Sequence, residues 1–415
     1  MCVPQCGCTP EVGEALVTMV ESISPYALTD EQLAIREHAR GIARQYVAPR
    51  AHDIDASAEF PQDIRQIFAD KDLLALPFDE QYGGTGTGAL ALIIAIEEIS
   101  KVCATSGLIL AVQELGSLPI KLAGTDEQKQ QWLPKLASGE WLAAYGLTEP
   151  GSGSDSAGML TTAERQGDEW VLNGSKRFIT NGGVADLYVV FAKTDMTQKH
   201  RGISAFVVPA TAPGFSVGKL EKKMGIKGST TAELHFDDCR IPASNILGDE
   251  GTGFTLAMQV LDRSRPGVAA QALGIAGGAT EYAGRYLLER EQFGRPIAEL
   301  QGLQFMLADM QTKVCAAQEL LYKTGSLMDA PDTPRAELTR YSAMAKLFCS
   351  DVAMDVSTDA VQLLGGYGYI SEYPVERMMR DAKITQIYEG TNQVQRLVIA
   401  RNLLDELKTA EPIPF

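Results

Sequence analysis

A chain of 415 residues is too long for one ordinary hydrophobic core, so it divides into two or three domains and can bury a deep ligand site. Its 45% hydrophobic and 22% charged residues exclude a disordered or fibrous protein and leave a soluble globular one. The formal net charge of -16 disfavours a nucleic-acid partner, which needs clustered Lys and Arg, but it allows an anionic ligand held by local arginines such as Arg263 and Arg265.

Residues 1–25 read as a flexible extension. They lack the basic start and apolar stretch of a secretory signal, so the expected location is cytoplasmic. Cys2, Cys6 and Cys8 cluster there, but three thiols without a fourth ligand make an incomplete metal site. The remaining cysteines, Cys103, Cys239, Cys315 and Cys349, stand singly in apolar segments, as small core residues do.

Residues 26–145 read as a helical domain. Thr29 to Val47 predicts a helix opened by a Thr29/Gln32 capping box, with Ala39, Ile42, Ala43 and Tyr46 on one face. Gly83 to Ala89 matches the loose G-x-G-x-x-A form of a dinucleotide fingerprint. No strand precedes it and no acidic residue follows at the right distance, so it reads as a loop before an Ala89–Ser100 helix. The longest apolar run, Ala89 to Ile96, is far too short to cross a bilayer.

Residues 146–250 read as a β domain. Trp170 to Leu172, Leu187 to Phe191, Ile203 to Val208 and Thr231 to Phe236 are short β-branched and aromatic runs separated by turns. Asn173-Gly174 predicts a hairpin turn, because both residues tolerate positive φ, and would present Phe178 and Thr180 on one projecting strand.

From residue 251 to 415 long helices return. Leu338, Tyr341, Ala345, Phe348, Val352 and Val356 form an apolar stripe, and Gly365-Gly366-Tyr367-Gly368 breaks it with a loop that can approach a ligand or another subunit. Near the end, Tyr388-Glu389-Gly390 sets a carboxylate between an aromatic ring, which desolvates it, and a glycine, which admits a ligand close to the backbone. That pattern suits a catalytic base, although a Glu in such a turn is usually a solvated surface group. The sequence has no H-E-x-x-H, no phosphate-binding Walker loop and no nucleophile elbow, and His38, His52, His200 and His235 are widely separated, so metal and triad chemistry rank low.

Six ordered segments carry a closer identification: Tyr145 to Asp155, Phe178 to Gly182, Leu261 to Pro266, Arg290 to Gly294, Gln362 to Gly368, and Gln386 to Gln393. Together they resemble the acyl-CoA dehydrogenase family of FAD-dependent flavoproteins over nearly the whole chain after Pro25. The resemblance implies an α+β fold: an N-terminal helical domain, a middle β-barrel-like domain and a C-terminal four-helix bundle.

It also implies roles. Tyr145, Leu147, Thr148, Gly153 and Ser154 would border FAD, Ser154 the acyl-CoA as well; Phe178, Ile179 and Thr180 would cover the flavin ring and its hydride-accepting nitrogen. Arg290, Phe293, Gln301, Gln362, Gly365 and Gly366 would contact FAD across a subunit interface, with Thr391 and Gln393 nearby, in a homo-oligomer, usually a tetramer. Alone, Phe293 reads as core packing and Arg290 as a surface ion pair. Asp262, Arg265, Gly390 and Arg401 would face the substrate.

The implied reaction is α,β-dehydrogenation of an acyl-CoA to the trans-2-enoyl-CoA. Glu389 removes the α-proton and FAD accepts the β-hydrogen as hydride. The flavin ribityl hydroxyl and the Glu389 backbone N–H stabilise the enolate, and electrons pass to an electron-transferring flavoprotein. Some branches of the family keep the base at the position of Ser264, which cannot serve here, so Glu389 places the chain with the short-, medium- and short-branched-chain groups. Glutaryl-CoA enzymes carry an Arg where this chain has Ser106, which disfavours glutaryl-CoA. The alternatives are an acyl-CoA oxidase or enoyl-CoA reductase on short, medium or dicarboxylic chains and, more remotely, a non-catalytic acyl-CoA-binding protein.

Overall fold

The computed structural model describes residues 28–410, so the 1–25 extension and its three cysteines lie outside the described residues. Six helices come first: α1 (Asp30–Ile42), α2 (Ala51–Ser57), α3 (Gln62–Asp70), α4 (Gly88–Ser100), α5 (Ala104–Ala123) and α6 (Asp126–Ala137). The capping box at Thr29 forms as predicted: Gln32 N donates to Thr29 Oγ1 at 3.2 Å and Thr29 N donates to Gln32 Oε1 at 3.0 Å. Thr125 and Gln128 open α6 the same way. Helix α1 runs on through a π turn to Val47, burying Ala39, Ile42 and Ala43 with Tyr46 packed beside them.

Gly41 on α1 is exposed, and a Cβ there would meet nothing within 4 Å. Gly41→Ala is therefore expected to raise stability by about 0.5–1 kcal/mol through helix propensity, read as a higher denaturant midpoint at unchanged slope. A lower midpoint would show that the exposed turn needs the glycine.

Gly83 to Thr87 is a loop, as its context predicted, and the helix that follows starts at Gly88. The helix after it has no cap from its own Thr87; instead Asp329, far along the chain, accepts from Ala89 N at 2.6 Å and Leu90 N at 3.1 Å.

The middle of the chain forms β1 (Ala143–Gly146), β2 (Thr162–Gln166), β3 (Glu169–Thr180), β4 (Leu187–Lys193), β5 (Ile203–Pro209), β6 (Phe215–Leu220), β7 (Thr231–Pro242) and β8 (Ile246–Leu247). They make one sheet in the order β6-β7-β3-β2-β4-β5-β8, with β1 parallel to β4. Every residue of β4 is buried, because both faces are covered: Leu187, Val189 and Phe191 pack toward α5 and α6, while Tyr188, Val190 and Ala192 pack into a second core with Trp170 and Phe206.

The hairpin predicted at Asn173-Gly174 does not form. These residues lie inside β3 at a bulge, where Gly174 has φ +142 and a Cβ would sit 2.7 Å from Thr161 Oγ1. Asn173 bonds across to Asp238 instead, and the turn falls at Gly167-Asp168, between Gln166 and Glu169. A residue that tolerates positive φ serves a bulge as well as a turn, and sequence does not distinguish the two.

The third part holds α7 (Gly253–Glu289), a small ribbon of β9 (Glu291–Gln292) and β10 (Arg295–Pro296), then α8 (Gln301–Asp329), α9 (Arg335–Leu364), α10 (Pro374–Thr385) and α11 (Asn392–Thr409). Helix α7, about 55 Å long at 1.5 Å per residue, is the axis on which the other helices pack. Its Gly274 and Gly278 admit α4: a Cβ would fall 2.4 Å from Glu97 O at the first and 2.0 Å from Lys101 O at the second.

In the α9 stripe Phe348 is exposed, and Cys349 takes its place in the core beside Ala345, Val352, Ala353 and Val356. Of the four single cysteines, Cys103, Cys239 and Cys349 are buried, whereas Cys315 is exposed on the outer face of α8. Among the described residues no helix is long and apolar enough to cross a membrane, and no group of three His, Cys, Asp or Glu could hold a metal.

Candidate active site

Six residues join α10 to α11, and Asn392 N closes the turn between them on Gln386 O at 3.0 Å. Glu389 at φ +52 and Gly390 at φ +89 make it in the left-handed region, which costs a non-glycine residue about 1–2 kcal/mol. Hydrogen bonds hold the turn there. Lys346 Nζ donates to Gly390 O and Asn392 Oδ1, both at 2.9 Å, and Gln395 Nε2 donates to Gly390 O at 2.8 Å. Lys346 is fully buried, and that burial pushes its pKa down to about 7 against the pull of Glu389.

The turn points the Glu389 carboxylate at α7, where Ser264 Oγ donates to Oε2. Part of Glu389 is solvent-accessible, yet protein atoms crowd the carboxylate enough that desolvation raises its pKa; the Ser264 bond, Arg265 and Lys346 oppose this without cancelling it. Arg265 is buried and paired with Asp262 at 2.9 Å, and Asp262 in turn accepts from Thr339 Oγ1 at 2.8 Å. The Tyr145 hydroxyl is buried with no hydrogen-bond partner; burial and the Glu389 charge hold it well above the usual phenol range. Tyr388 donates to Gln271 Oε1. No described acceptor takes the Glu389 backbone N–H.

Glu389, Gly390, Asp262, Arg265 and Tyr145 thus meet in one place. Arg263 does not join Arg265: two residues apart on a helix they face different ways, and Arg263 lines a separate cavity.

A second group lies at the end of β1. Leu147 is buried, Thr148 O accepts from Arg177 N at 2.8 Å, and the chain turns through Gly153 and Ser154, both exposed. The turn is anchored from beneath by a buried ion pair, Lys176 Nζ to Glu149 Oε1 at 2.7 Å. Beside it a second bulge in β3 gives Phe178 φ +58 and leaves its ring 58% exposed, with Ile179 buried and Thr180 half-buried. A left-handed aromatic residue is a true outlier, and such strain gathers at functional sites.

A third group stands apart, at the outer end of the bundle. Phe293 is 89% exposed at φ +55, Gln301, Gln362, Gly365 and Gly366 are exposed, and Arg290 lines a cavity of about 430 Å³ with Gly366 and Tyr367. Thr391 caps α11 through Val394 N at 3.3 Å, and Gln393 is exposed. Arg401 is exposed on α11, about 15 Å along the helix from Thr391 at 1.5 Å per residue, and reaches none of these groups.

Sequence reading missed Lys346, Gln395 and Asn392, which hold the Glu389 turn. Lys346 carried a signal: it sits between core positions Ala345 and Cys349 of the α9 pattern, where a charged residue needs buried partners.

Comparison with known proteins agrees in every part of the chain. Residues 29–140 match the N-terminal domain of acyl-CoA dehydrogenase, 144–239 its middle domain and 251–404 its C-terminal domain. The short-chain specific acyl-CoA dehydrogenase of Clostridium acetobutylicum is 50% identical over 376 residues, covering 90% of this chain and 98% of that protein. A chain from a solved structure of the electron transferring flavoprotein of Acidaminococcus fermentans is 49% identical with a TM-score of 0.90, covering 92% of this chain and 100% of that one. The butyryl-CoA dehydrogenase of Megasphaera elsdenii is 44% identical with a TM-score of 0.88, covering 91% and 99%. With all three domain matches in order and the fold shared throughout, this chain belongs to the acyl-CoA dehydrogenase family.

Proposed function

We propose that the protein dehydrogenates a short acyl-CoA thioester between its α and β carbons, with Glu389 as the base and FAD as the hydride acceptor. The carrying observation is a desolvated carboxylate, fixed by a strained turn and bonded to a single serine hydroxyl. The residues present fit FAD: Cβ atoms at Gly153, Gly365 and Gly366 would meet nothing, so the backbone there is open to a ligand, and the buried Tyr145 hydroxyl lacks a partner. Tyr145, Leu147, Thr148, Ser154, Phe178, Ile179 and Thr180 would hold it on one protomer. Arg290, Phe293, Gln301, Gln362, Gly365 and Gly366, set apart on the outer surface, would hold it from a neighbour in a homotetramer.

FAD, when bound, supplies the two-electron acceptor for the β-hydrogen. The chain supplies the rest. Glu389 takes the α-proton, and its unbonded backbone N–H is available to the thioester oxygen as negative charge develops there. Burial makes the carboxylate a stronger base, and the Asp262–Arg265 pair and Lys346 keep the site near charge balance. Asp262, Arg265, Gly390 and Ser154 would contact the acyl-CoA, with Arg401 a peripheral candidate. The resemblance to a chain from an electron transferring flavoprotein structure supports such a flavoprotein as electron acceptor.

Anaerobic addition of butyryl-CoA is expected to bleach the bound flavin, and added electron-transferring flavoprotein to restore turnover. The base must be ionised, so kcat/KM should fall as pH drops through the raised Glu389 pKa, above the ordinary 4.5. The Ser264 bond lowers that pKa, so Ser264→Ala should move the acid limb to higher pH. An unmoved limb would assign it to another group.

A further inference from the structure

The link between β6 and β7, residues 221–230, leaves the sheet and wedges between α2 and α10. A Cβ at Gly225 would fall 2.4 Å from Arg380 O on α10, and one at Gly228 would fall 2.5 Å from Ile54 Cγ2 on α2. Between them Ile226 is buried at φ +42, left-handed backbone that a β-branched residue rarely adopts. Its N–H donates to the Asp381 carboxylate, which is buried and forms no ion pair with any described residue. Burial pushes that carboxyl up to about 6 against the Ile226 N–H, Arg377 and Arg380, and the Asp55 charge adds to the rise.

Arg380 closes the clamp from the next position on α10. It donates to both Asp55 oxygens on α2, at 3.0 and 2.6 Å, and to Met224 O at 3.1 Å, while Lys227 reaches Asp55 at 3.6 Å. The same link runs into β7, where Ala232 and Thr231 pair with Ile179 and Thr180, and Thr230 O accepts from Asn181 N at 3.1 Å. One strained loop thus joins the β3 bulge that projects Phe178 to the helix that ends four residues before Glu389.

Resting on the dehydrogenase reading above, we infer that Asp381 is a positioning residue that holds the flavin-side strand in place relative to the base. Glu389 takes the α-proton and the flavin takes the β-hydrogen from adjacent carbons, so both must be set correctly, and a misplacement of about 1 Å costs on the order of 10²-fold. Glu389 has anchors of its own in Ser264 and in the bonds of Lys346 and Gln395 to Gly390 O. The strand has the clamp. Without Asp381 the buried Ile226 N–H loses its acceptor on a backbone already strained, and both effects favour release of the loop. Hydride transfer should then suffer more than proton removal.

The test compares Asp381→Leu and Asp381→Asn with wild type in three measurements on the holoenzyme. Backbone hydrogen exchange without substrate should quicken in Asp381→Leu at 178–181 as well as at 224–228. (Methylthio)acetyl-CoA, with sulfur in place of the β-carbon, has α-protons but no β-hydrogen, and its uptake of deuterium from D2O should stay near the wild-type rate. Flavin reduction by butyryl-CoA should slow roughly 10²-fold. Asp381→Asn keeps an acceptor for Ile226 N–H and should restore exchange and reduction toward wild type. If Asp381→Leu does not fold, Arg380→Met, which cuts the bonds to Asp55 and Met224 O, is expected to show the same split. Exchange quickened at 224–228 alone, deuterium uptake and reduction lowered alike, or an Asp381→Asn variant no better than Asp381→Leu overturns the inference alone. Wild-type enzyme that neither takes up deuterium nor is reduced by any thioester removes the dehydrogenase reading and this inference with it.

Discussion

Glu389→Gln is expected to lower turnover by roughly 10³-fold while the protein stays folded and keeps its flavin colour. The amide fills the same space and can still accept the Ser264 hydrogen bond, so the turn should survive. What it lacks is a basic oxygen for the α-proton. On α7 no carboxylate can stand in: Ser264 occupies the nearest position, and Asp262 is engaged by Arg265 and Thr339. Removing a desolvated charge should leave stability unchanged or slightly higher, which separates loss of chemistry from loss of fold. Stopped-flow reduction by butyryl-CoA, with thermal unfolding alongside, reads both. Retention of more than about a tenth of the wild-type rate would overturn the assignment of the base.

The largest expected effect on stability lies elsewhere, at Lys176. This side chain is fully buried, and its ammonium donates to Glu149 Oε1 at 2.7 Å and to Leu147 O at 3.3 Å. Burial works against the Glu149 charge, but Lys176 and the N–H groups of Leu160 (2.6 Å) and Thr161 (3.0 Å) outweigh it and hold the carboxyl below its ordinary range. On Lys176 burial wins, pulling it down to about 8 against Glu149, so the pair is ionised at neutral pH.

Lys176→Met would strand a buried carboxylate and should cost about 3–5 kcal/mol. Because Glu149 opens the turn that carries Gly153 and Ser154, flavin retention should weaken with it. The double variant Lys176→Met with Glu149→Leu should recover much of the stability, since no charge is left unpaired. The pH dependence has a definite sign. Glu149 has a depressed folded pKa, so its contribution is present above its unfolded value of about 4.5 and is lost as pH falls through the folded one. The gap between wild type and Lys176→Met should therefore narrow in acid. Denaturant midpoints at neutral and acidic pH would show it; a cost below about 1 kcal/mol would mean that the pair is solvated.

Local signals in the chain were read well where the physics is local. Thr29/Gln32 announced a cap that involves only residues three apart, and the β-branched runs became β3, β4, β5 and β7. They failed where one local preference serves two structures. Asn173-Gly174 could turn or bulge, and the contact of Gly174 with Thr161 decided for the bulge. Phe348 fitted a helical stripe, but Cys349 faces the core, because the packing of α8 on α9 and not the period alone selects the buried face.

The candidate site divides the same way. The sequence determined the order of elements and the family and singled out Glu389 as the candidate base, because motif spacing survives without coordinates. Only the tertiary structure decided the surroundings of that carboxylate: Ser264, which bonds to it, lies 125 residues away, and Lys346 holds Gly390 from 44 residues away. Desolvation and charge pairing are properties of a volume filled by distant segments, so they exist only once the chain has folded.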